Sequence, residues 1–163
     1  MKEAAPRTIK LAEYRPPAYL IDSVHLSFDL REQGTRVVSR LGIRRNPAGQ
    51  GGPLRLDGEG PEPIWDRVDG RELAAGDYQI DQESLTLQDP PAAFVLESEV
   101  VIAPENNTAL EGLYRSGGMF CTQCEPEGFR KITWFVDRPD VMACFTVRIE
   151  ADRAACPVLL SNG

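Results

Sequence analysis

Two neighbouring stretches of alternating apolar and polar residues constrain the fold of this chain more than any other feature. Between Tyr19 and Leu30, the apolar side chains Leu20, Val24, Leu26, Phe28 and Leu30 alternate with Ser23, His25, Ser27 and Asp29. Residues 36–44 repeat the pattern after a Gln33-Gly34 turn, with Val37, Leu41 and Ile43 opposite Arg36, Arg40 and Arg44. A period of two places successive side chains on opposite faces of a β-strand. The two stretches therefore predict a β-hairpin that is buried on one face.

Shorter strand-like pieces follow a loop rich in glycine and proline at residues 46–53. They lie at residues 54–56, 78–80, 85–87, 94–102 and 145–149. Short strands separated by turns are typical of β-sandwiches, and no window of a dozen residues carries a helical apolar stripe. We therefore predict an all-β fold, an antiparallel β-sandwich or saddle with little helix, built as one domain of 163 residues.

One segment, from Pro61 to Val68, does not fit a central strand. Pro61 and Pro63 cannot donate hydrogen bonds to a neighbouring strand, and Asp66 falls in phase with the apolar positions Ile64 and Val68. Proline is confined to sheet edges and irregular positions for this reason. If this segment is a strand, its first half is expected at an edge or in an irregular stretch.

Residues 106–140 change in character to glycine, cysteine, proline and aromatic side chains with little alternation. This composition predicts a long structured loop that lies over the sandwich. Loops of this length are usually either functional or disordered. Phe120, Phe129, Trp134 and Phe135 favour an ordered loop, because aromatic side chains are depleted in disordered segments.

Charge and hydropathy exclude two classes of partner. The net charge of −7 repels a nucleic-acid backbone, and no cluster of Lys and Arg offsets it. The apolar runs are too short to cross a membrane. Residues 1–14 also lack the apolar run of a signal peptide, so we expect a cytoplasmic protein.

Four cysteines lie in the last third of the chain, and two of them, Cys121 and Cys124, have CxxC spacing. This spacing occurs in redox and zinc sites, but a second ligand pair or a redox helix should accompany it. His25 is the single histidine and falls on the polar face of its strand. We therefore interpret the cysteines as structural thiols, expect no metal in this chain, and expect His25 at the surface.

Three blocks of sequence carry a resemblance to a known family. Residues 107–114 read Asn-Thr-Ala-Leu-Glu-Gly-Leu-Tyr, residues 121–130 read Cys-Thr-Gln-Cys-Glu-Pro-Glu-Gly-Phe-Arg, and residues 135–141 read Phe-Val-Asp-Arg-Pro-Asp-Val. In this order they resemble the amino-terminal domain of the aminopeptidase N family of zinc metallopeptidases, and the resemblance extends over nearly the whole chain. It implies a β domain that precedes a thermolysin-like catalytic domain carrying an HExxH motif and the zinc.

Neither HExxH nor the family's Gly-Ala-Met-Glu-Asn segment occurs in these 163 residues. A catalytic zinc in such an enzyme needs two His and one Glu, and one histidine cannot supply them. The resemblance therefore implies that residues 1–163 are a domain truncated before the catalytic domain, with no catalytic residue of its own. The expected partners in the parent enzyme are the thermolysin-like domain and peptide N-termini.

The resemblance assigns roles to two residues of the Gln-Cys-Glu run. It implies that Glu125 binds the free α-amino group of the substrate and that Gln123 lines the pocket for the first side chain. From the residues alone, Glu125 and Glu127 are equally compatible with solvated loop carboxylates. Arg130 and Asp137-Arg138 are interpreted as structural ion pairs or turn caps. The alternative function is a free-standing β-sandwich interaction module with no link to peptidases.

Overall fold

The computed structural model describes residues 10–125 and 127–161, and all regular structure in these ranges is β-strand or short 3-10 helix. The strands are β1 (Tyr19–Leu30), β2 (Thr35–Arg45), β3 (Leu54–Asp57), β4 (Glu62–Val68), β5 (Arg71–Glu72), β6 (Tyr78–Ile80), β7 (Ser84–Leu87), β8 (Ala93–Ile102), β9 (Gly112–Ser116), β10 (Met119–Gln123) and β11 (Cys144–Ala151). The 3-10 helices are Leu11–Glu13, Pro104–Asn106 and Phe129–Lys131. The predicted all-β fold is confirmed.

None of these three helices is long and apolar enough to cross a bilayer. Residues 1–9, which belong to the segment where no signal peptide was expected, lie outside the described residues.

The strands form one large sheet and two small ones. The large sheet has six strands in the order β11-β1-β2-β8-β4-β5, the second has the order β3-β7-β6, and β9 pairs with β10 alone. All pairs are antiparallel except β1 with β11, which run parallel. A parallel pair needs a crossover connection, and here the whole chain between β1 and β11 supplies it.

The predicted hairpin is confirmed as β1 and β2, which pair antiparallel along nearly their full length. The prediction that Leu20 shares the buried face is wrong. A β-bulge between Ile21 and Ser23 adds one residue to β1 and so reverses the phase of the strand before it. Tyr19 and Ile21 are buried instead, and Leu20 is half-buried.

Strand β4 meets the expectation for the proline segment. Its first half has β8 as its one neighbour, because β5 pairs only with Arg67 and Val68. The register between β4 and β8 also shifts between Pro63 and Trp65. Owing to this shift Ile64 faces solvent, whereas Asp66 is buried with 4% of its surface exposed.

The core lies between the inner face of the six-stranded sheet and a second layer made of the three-stranded sheet and residues 132–136. One continuous cluster of buried apolar side chains joins the two layers. Thr133 sits at its centre, with its hydroxyl 3.3 Å from that of Ser39 on β2. Trp134 packs against Gly58, where an added Cβ would lie 2.0 Å from the ring. Glycine at position 58 is therefore required by this contact.

The predicted long loop at residues 106–140 contains a hairpin that the sequence did not predict. Strands β9 and β10 pair antiparallel and are joined by Gly117 and Gly118, both with positive φ. Two successive positive φ values are the requirement of a type I′ hairpin turn. Neither strand buries one alternating face, so the pattern of apolar residues carries no signal. Residues 124–125 and 127–140 do form a loop around the 3-10 helix Phe129–Lys131.

Candidate functional site

Gln123 and Glu125 lie next to each other at one end of the β9–β10 hairpin. Gln123 is the last residue of β10 and pairs with Gly112, and Glu125 follows in the loop that leads to the 3-10 helix. Both residues are exposed. Within the described part of the chain, neither side chain makes a hydrogen bond or an ion pair to another residue. The two predicted site residues are therefore together, and their polar groups are available to a ligand.

Glu127 differs from Glu125 in this respect. Its side chain is 74% exposed, but its carboxylate lies 3.5 Å from the guanidinium of Arg130. Its backbone has a φ of 75°, a strained value for a residue with a Cβ. Because Glu127 already has a cationic partner, Glu125 is the free carboxylate of this loop.

Gly128 packs against the backbone of both site residues. Its N–H donates a 2.9 Å hydrogen bond to the carbonyl of Glu125. A Cβ at position 128 would lie 3.1 Å from Gln123 O, 3.2 Å from Cys124 Cα and 3.2 Å from Glu125 O. These separations are tighter than ordinary van der Waals contact, so any larger residue would push the loop outward. Sequence reasoning missed this role, because Gly128 lies three residues after Glu125 in a stretch without a strand pattern.

The other side of the loop is held by a partly buried ion pair. The Asp137 carboxylate accepts hydrogen bonds from the backbone N–H of Arg130 at 3.0 Å and from its Nε at 3.1 Å. The backbone N–H of Asp137 in turn donates to Asp57 of β3 at 3.2 Å. Arg138 pairs with Asp140 at 2.7 Å. The ion pairs predicted for Arg130, Asp137 and Arg138 are therefore present, and the first pair ties the site loop to the core.

Cys124, the second cysteine of the CxxC spacing, has an unreactive thiol. All four cysteines are free. Although Cys124 is exposed as a whole residue, burial of its thiol and the nearby Asp137 carboxylate raise the pKa of that thiol to about 11. A thiol with so high a pKa is rarely ionised at neutral pH and is a poor nucleophile and metal ligand.

Metal ligands are not gathered anywhere in the described ranges. Residues 10–125 and 127–161 contain no group of three or more His, Cys, Asp or Glu side chains arranged to hold an ion. His25 is exposed on the outer face of β1, as predicted. Gln123 and Glu125 offer a hydrogen-bonding and charged surface.

Two depressions of about 230 Å³ each lie near the site loop. Five charged side chains line the first: Arg55, Asp57, Glu59, Glu83 and Arg130. The second is lined by residues around Asn107 and Lys131. Gln123 and Glu125 line neither depression, and both residues are exposed.

Comparison with known proteins assigns the chain to a family. A sequence model of the Peptidase M1 N-terminal domain matches residues 69–163, which is more than half of the chain. The chain belongs to the peptidase M1 N-terminal domain family. The resemblance seen in the sequence blocks is thereby confirmed, and a module unrelated to peptidases is not supported.

Curated relatives extend this M1 likeness to the whole chain. Aminopeptidase N of Caulobacter vibrioides is 52% identical over 163 residues, which are 100% of this chain and 19% of that protein. Aminopeptidase N of Escherichia coli is 43% identical over 151 residues, 93% of this chain and 17% of that protein. The chain thus spans about a fifth of the length of the curated relatives it matches.

Solved structures share the M1 N-terminal fold. The structure of Legionella pneumophila aminopeptidase A in complex with aspartic acid has a TM-score of 0.87 at 30% identity, and the match covers 95% of this chain and 18% of that chain. A variant of an M1 zinc metallopeptidase from Deinococcus radiodurans, bound to a Tyr-Ser-Ala substrate, has a TM-score of 0.67 at 18% identity, and covers 82% of this chain and 33% of that chain. At that identity the second likeness shows the fold alone.

Proposed function

We propose that this chain is the amino-terminal β domain of a zinc aminopeptidase that removes amino acids from peptide N-termini. In this proposal Glu125 binds the α-amino group of the substrate, and Gln123 borders the pocket for the first side chain. The observation that carries it is the unpaired, exposed carboxylate of Glu125 beside the paired carboxylate of Glu127. Catalysis is assigned to the rest of the parent enzyme.

The described residues do not fit a catalytic zinc, which requires three protein ligands and an open position. No step through a metal is therefore assigned to this chain. Its contribution is recognition of the substrate's charged end.

The electrostatic argument for Glu125 follows from the chemistry of an amino terminus. An α-amino group with an ordinary pKa near 8 is a cation at neutral pH. It must lose water when it enters an enclosed site, and a positioned carboxylate replaces that solvation with a charge-assisted hydrogen bond. Glu125 has no competing partner among the described residues, whereas Glu127 would first have to release Arg130.

The names of the relatives also support recognition of a free α-amino group. Two curated relatives are aminopeptidases N, and the Legionella structure holds aspartic acid, an amino acid with a free α-amino group. Each of these proteins is about five to six times as long as the segment it shares with this chain. Their remaining parts are where we propose the second wall of the site originates.

The test is Glu125→Ala in the full-length aminopeptidase that contains this domain. Truncating one partner of a desolvated charge pair costs about 2 kcal/mol or more, so kcat/KM for peptides with a free N-terminus falls at least about thirty-fold. The zinc content stays the same, because no ligand is removed.

Glu127→Ala is the matched control. It lies two residues away and breaks only an exposed ion pair, which is worth about 0–1 kcal/mol, so kcat/KM changes less than about five-fold. Unchanged kinetics in both variants, or a larger loss for Glu127→Ala, would refute the assignment.

A further inference from the structure

The two cations that follow Glu125 along the chain are both held by carboxylates. Arg130 and Lys131 end the 3-10 helix Phe129–Lys131, close behind Glu125 in the sequence. Their side chains are 21% and 17% exposed, so both are partly buried. Glu125 itself has no ion pair within the described ranges. One short loop therefore contains a free carboxylate and two cations that are occupied elsewhere.

Asp137 is the main partner of Arg130. Its Oδ2 accepts hydrogen bonds from the backbone N–H of Arg130 at 3.0 Å and from the guanidinium Nε at 3.1 Å. The Asp137 side chain is 12% exposed, whereas the second partner, Glu127, is 74% exposed and 3.5 Å away. Partly buried charge pairs are screened less by salt and water than exposed ones. The position of the Arg130 guanidinium therefore depends on Asp137 more than on Glu127.

Lys131 is occupied in the same way. Its Nζ lies 2.9 Å from the carboxylate of Glu59, which follows β3, and 3.7 Å from that of Glu111, which precedes β9. Both cations of the helix are thus paired with acids other than Glu125.

The path of the loop keeps Arg130 close to Glu125. The N–H of Gly128 donates a 2.9 Å hydrogen bond to the carbonyl of Glu125, so the chain turns back between the two residues. The guanidinium already contacts the carboxylate of Glu127, two residues from Glu125. Released from Asp137, this long side chain would be able to pair with the Glu125 carboxylate. A substrate ammonium would then have to displace it.

We infer that Asp137 is a positioning residue that holds Arg130 away from Glu125 and so keeps the Glu125 carboxylate open for the α-amino group of a substrate. Asp137 touches no substrate in this scheme and acts through Arg130. The inference rests on the amine-binding role proposed for Glu125. It also differs from mechanical support of the loop, because support is needed whatever the charge on Arg130, whereas a neutral residue at position 130 has no charge to hold back.

Asp137→Asn in the full-length aminopeptidase is the first test. The amide keeps an acceptor oxygen for the Arg130 N–H but loses the negative charge, so Arg130 competes with the substrate for Glu125. Competition from an exposed ion pair should weaken binding of an inhibitor with an α-amino group about three- to five-fold, and change binding of its amine-free analogue less than about two-fold. For a peptide substrate the loss should appear as a higher KM with an unchanged kcat, because the amine is bound alike in the ground and transition states.

Removal of the competing charge should reverse this loss. The double variant Arg130→Gln/Asp137→Asn keeps a neutral pair that can form hydrogen bonds, and it should bind the amine-bearing inhibitor within about two-fold of the wild type. Asp140→Asn is the matched control. Asp140 is also a partly buried acid paired with an arginine, Arg138 at 2.7 Å, but that pair does not involve the cations behind Glu125, so inhibitor binding should stay within about two-fold.

Three outcomes would overturn the inference. One is unchanged amine binding in folded Asp137→Asn, and another is a double variant that binds the amine as weakly as Asp137→Asn does, which would leave the pair as mechanical support alone. Arg130→Gln gives the third and decides the matter if Asp137→Asn does not fold: amine binding should be retained, and a loss of about three-fold or more would contradict the inference. The proposed function fails separately, if Glu125→Ala still discriminates between the two inhibitors.

Discussion

Asp66 is a carboxylic acid in the core, and it should make the chain less stable at neutral pH than at acidic pH. It is 4% exposed, and its Oδ1 has no hydrogen-bond partner in the part of the chain that the structure describes. Burial alone raises the pKa of this carboxyl from 3.8 to about 6. The ionised form therefore carries a desolvation cost that nothing nearby offsets.

The magnitude and sign follow from proton linkage. The difference between a folded pKa of about 6 and an unfolded value of 3.8 corresponds to about 3 kcal/mol at about 1.36 kcal/mol per pKa unit. Because the folded pKa is raised, the stability from the neutral acid is fully present below pH 3.8 and is lost as the pH rises through 6. Between pH 4.5 and 7.5 the contribution of Asp66 to the free energy of unfolding falls by about 2 kcal/mol.

Urea denaturation of the wild type and Asp66→Asn at several pH values isolates this effect. Every other carboxyl is shared by the two proteins, so the difference in their free energies of unfolding should move by about 2 kcal/mol from pH 4.5 to 7.5, in favour of the variant. Glu72→Gln, an exposed acid on the neighbouring strand β5, should show no such movement. Parallel pH profiles for the wild type and Asp66→Asn would refute the argument.

Three further outcomes follow from the site loop and its supports. Iodoacetamide at pH 8 should alkylate Cys124 about a hundred-fold more slowly in the folded than in the denatured chain, because a thiol of pKa about 11 is rarely ionised; equal rates would contradict it. In the full-length enzyme, Gly128→Ala should lower kcat/KM several-fold, up to about ten-fold, by displacing the site loop, whereas Gly76→Ala, where a Cβ meets open space, should be neutral. Asp137→Ala should lower the free energy of unfolding by about 1–3 kcal/mol in denaturation experiments, because it leaves the partly buried Arg130 with only the exposed carboxylate of Glu127; a loss below about 0.5 kcal/mol would show that the pair is not an anchor.

The long alternating strands were predictable, because burial of one face leaves a period of two in the sequence. β1 and β2 were found for this reason, and β8 was found as a strand-like piece at residues 94–102. The β-bulge between Ile21 and Ser23 was not predictable, because the position of an inserted residue depends on packing rather than on the local sequence pattern. The β9–β10 hairpin was missed because its strands bury no alternating face, although Gly117-Gly118 is a turn signal.

The site was predictable only in part. Gln123 and Glu125 came from the resemblance to the aminopeptidase family, since an exposed loop carboxylate has no pattern of its own. What separates Glu125 from Glu127 is the ion pair of the latter with Arg130, which depends on the path of the loop in space. The support by Gly128 likewise depends on three backbone atoms that the fold brings together.

The central claim is that Glu125 binds the amino terminus of a substrate, and a thermodynamic cycle tests it most directly. Two inhibitors that differ only in the presence of the α-amino group are bound to the full-length wild-type enzyme and to Glu125→Ala. We predict that loss of the amino group weakens binding to the wild type by at least about thirty-fold, and to the variant by less than about three-fold. If the variant discriminates between the two inhibitors as strongly as the wild type does, Glu125 is not the residue that binds the amine.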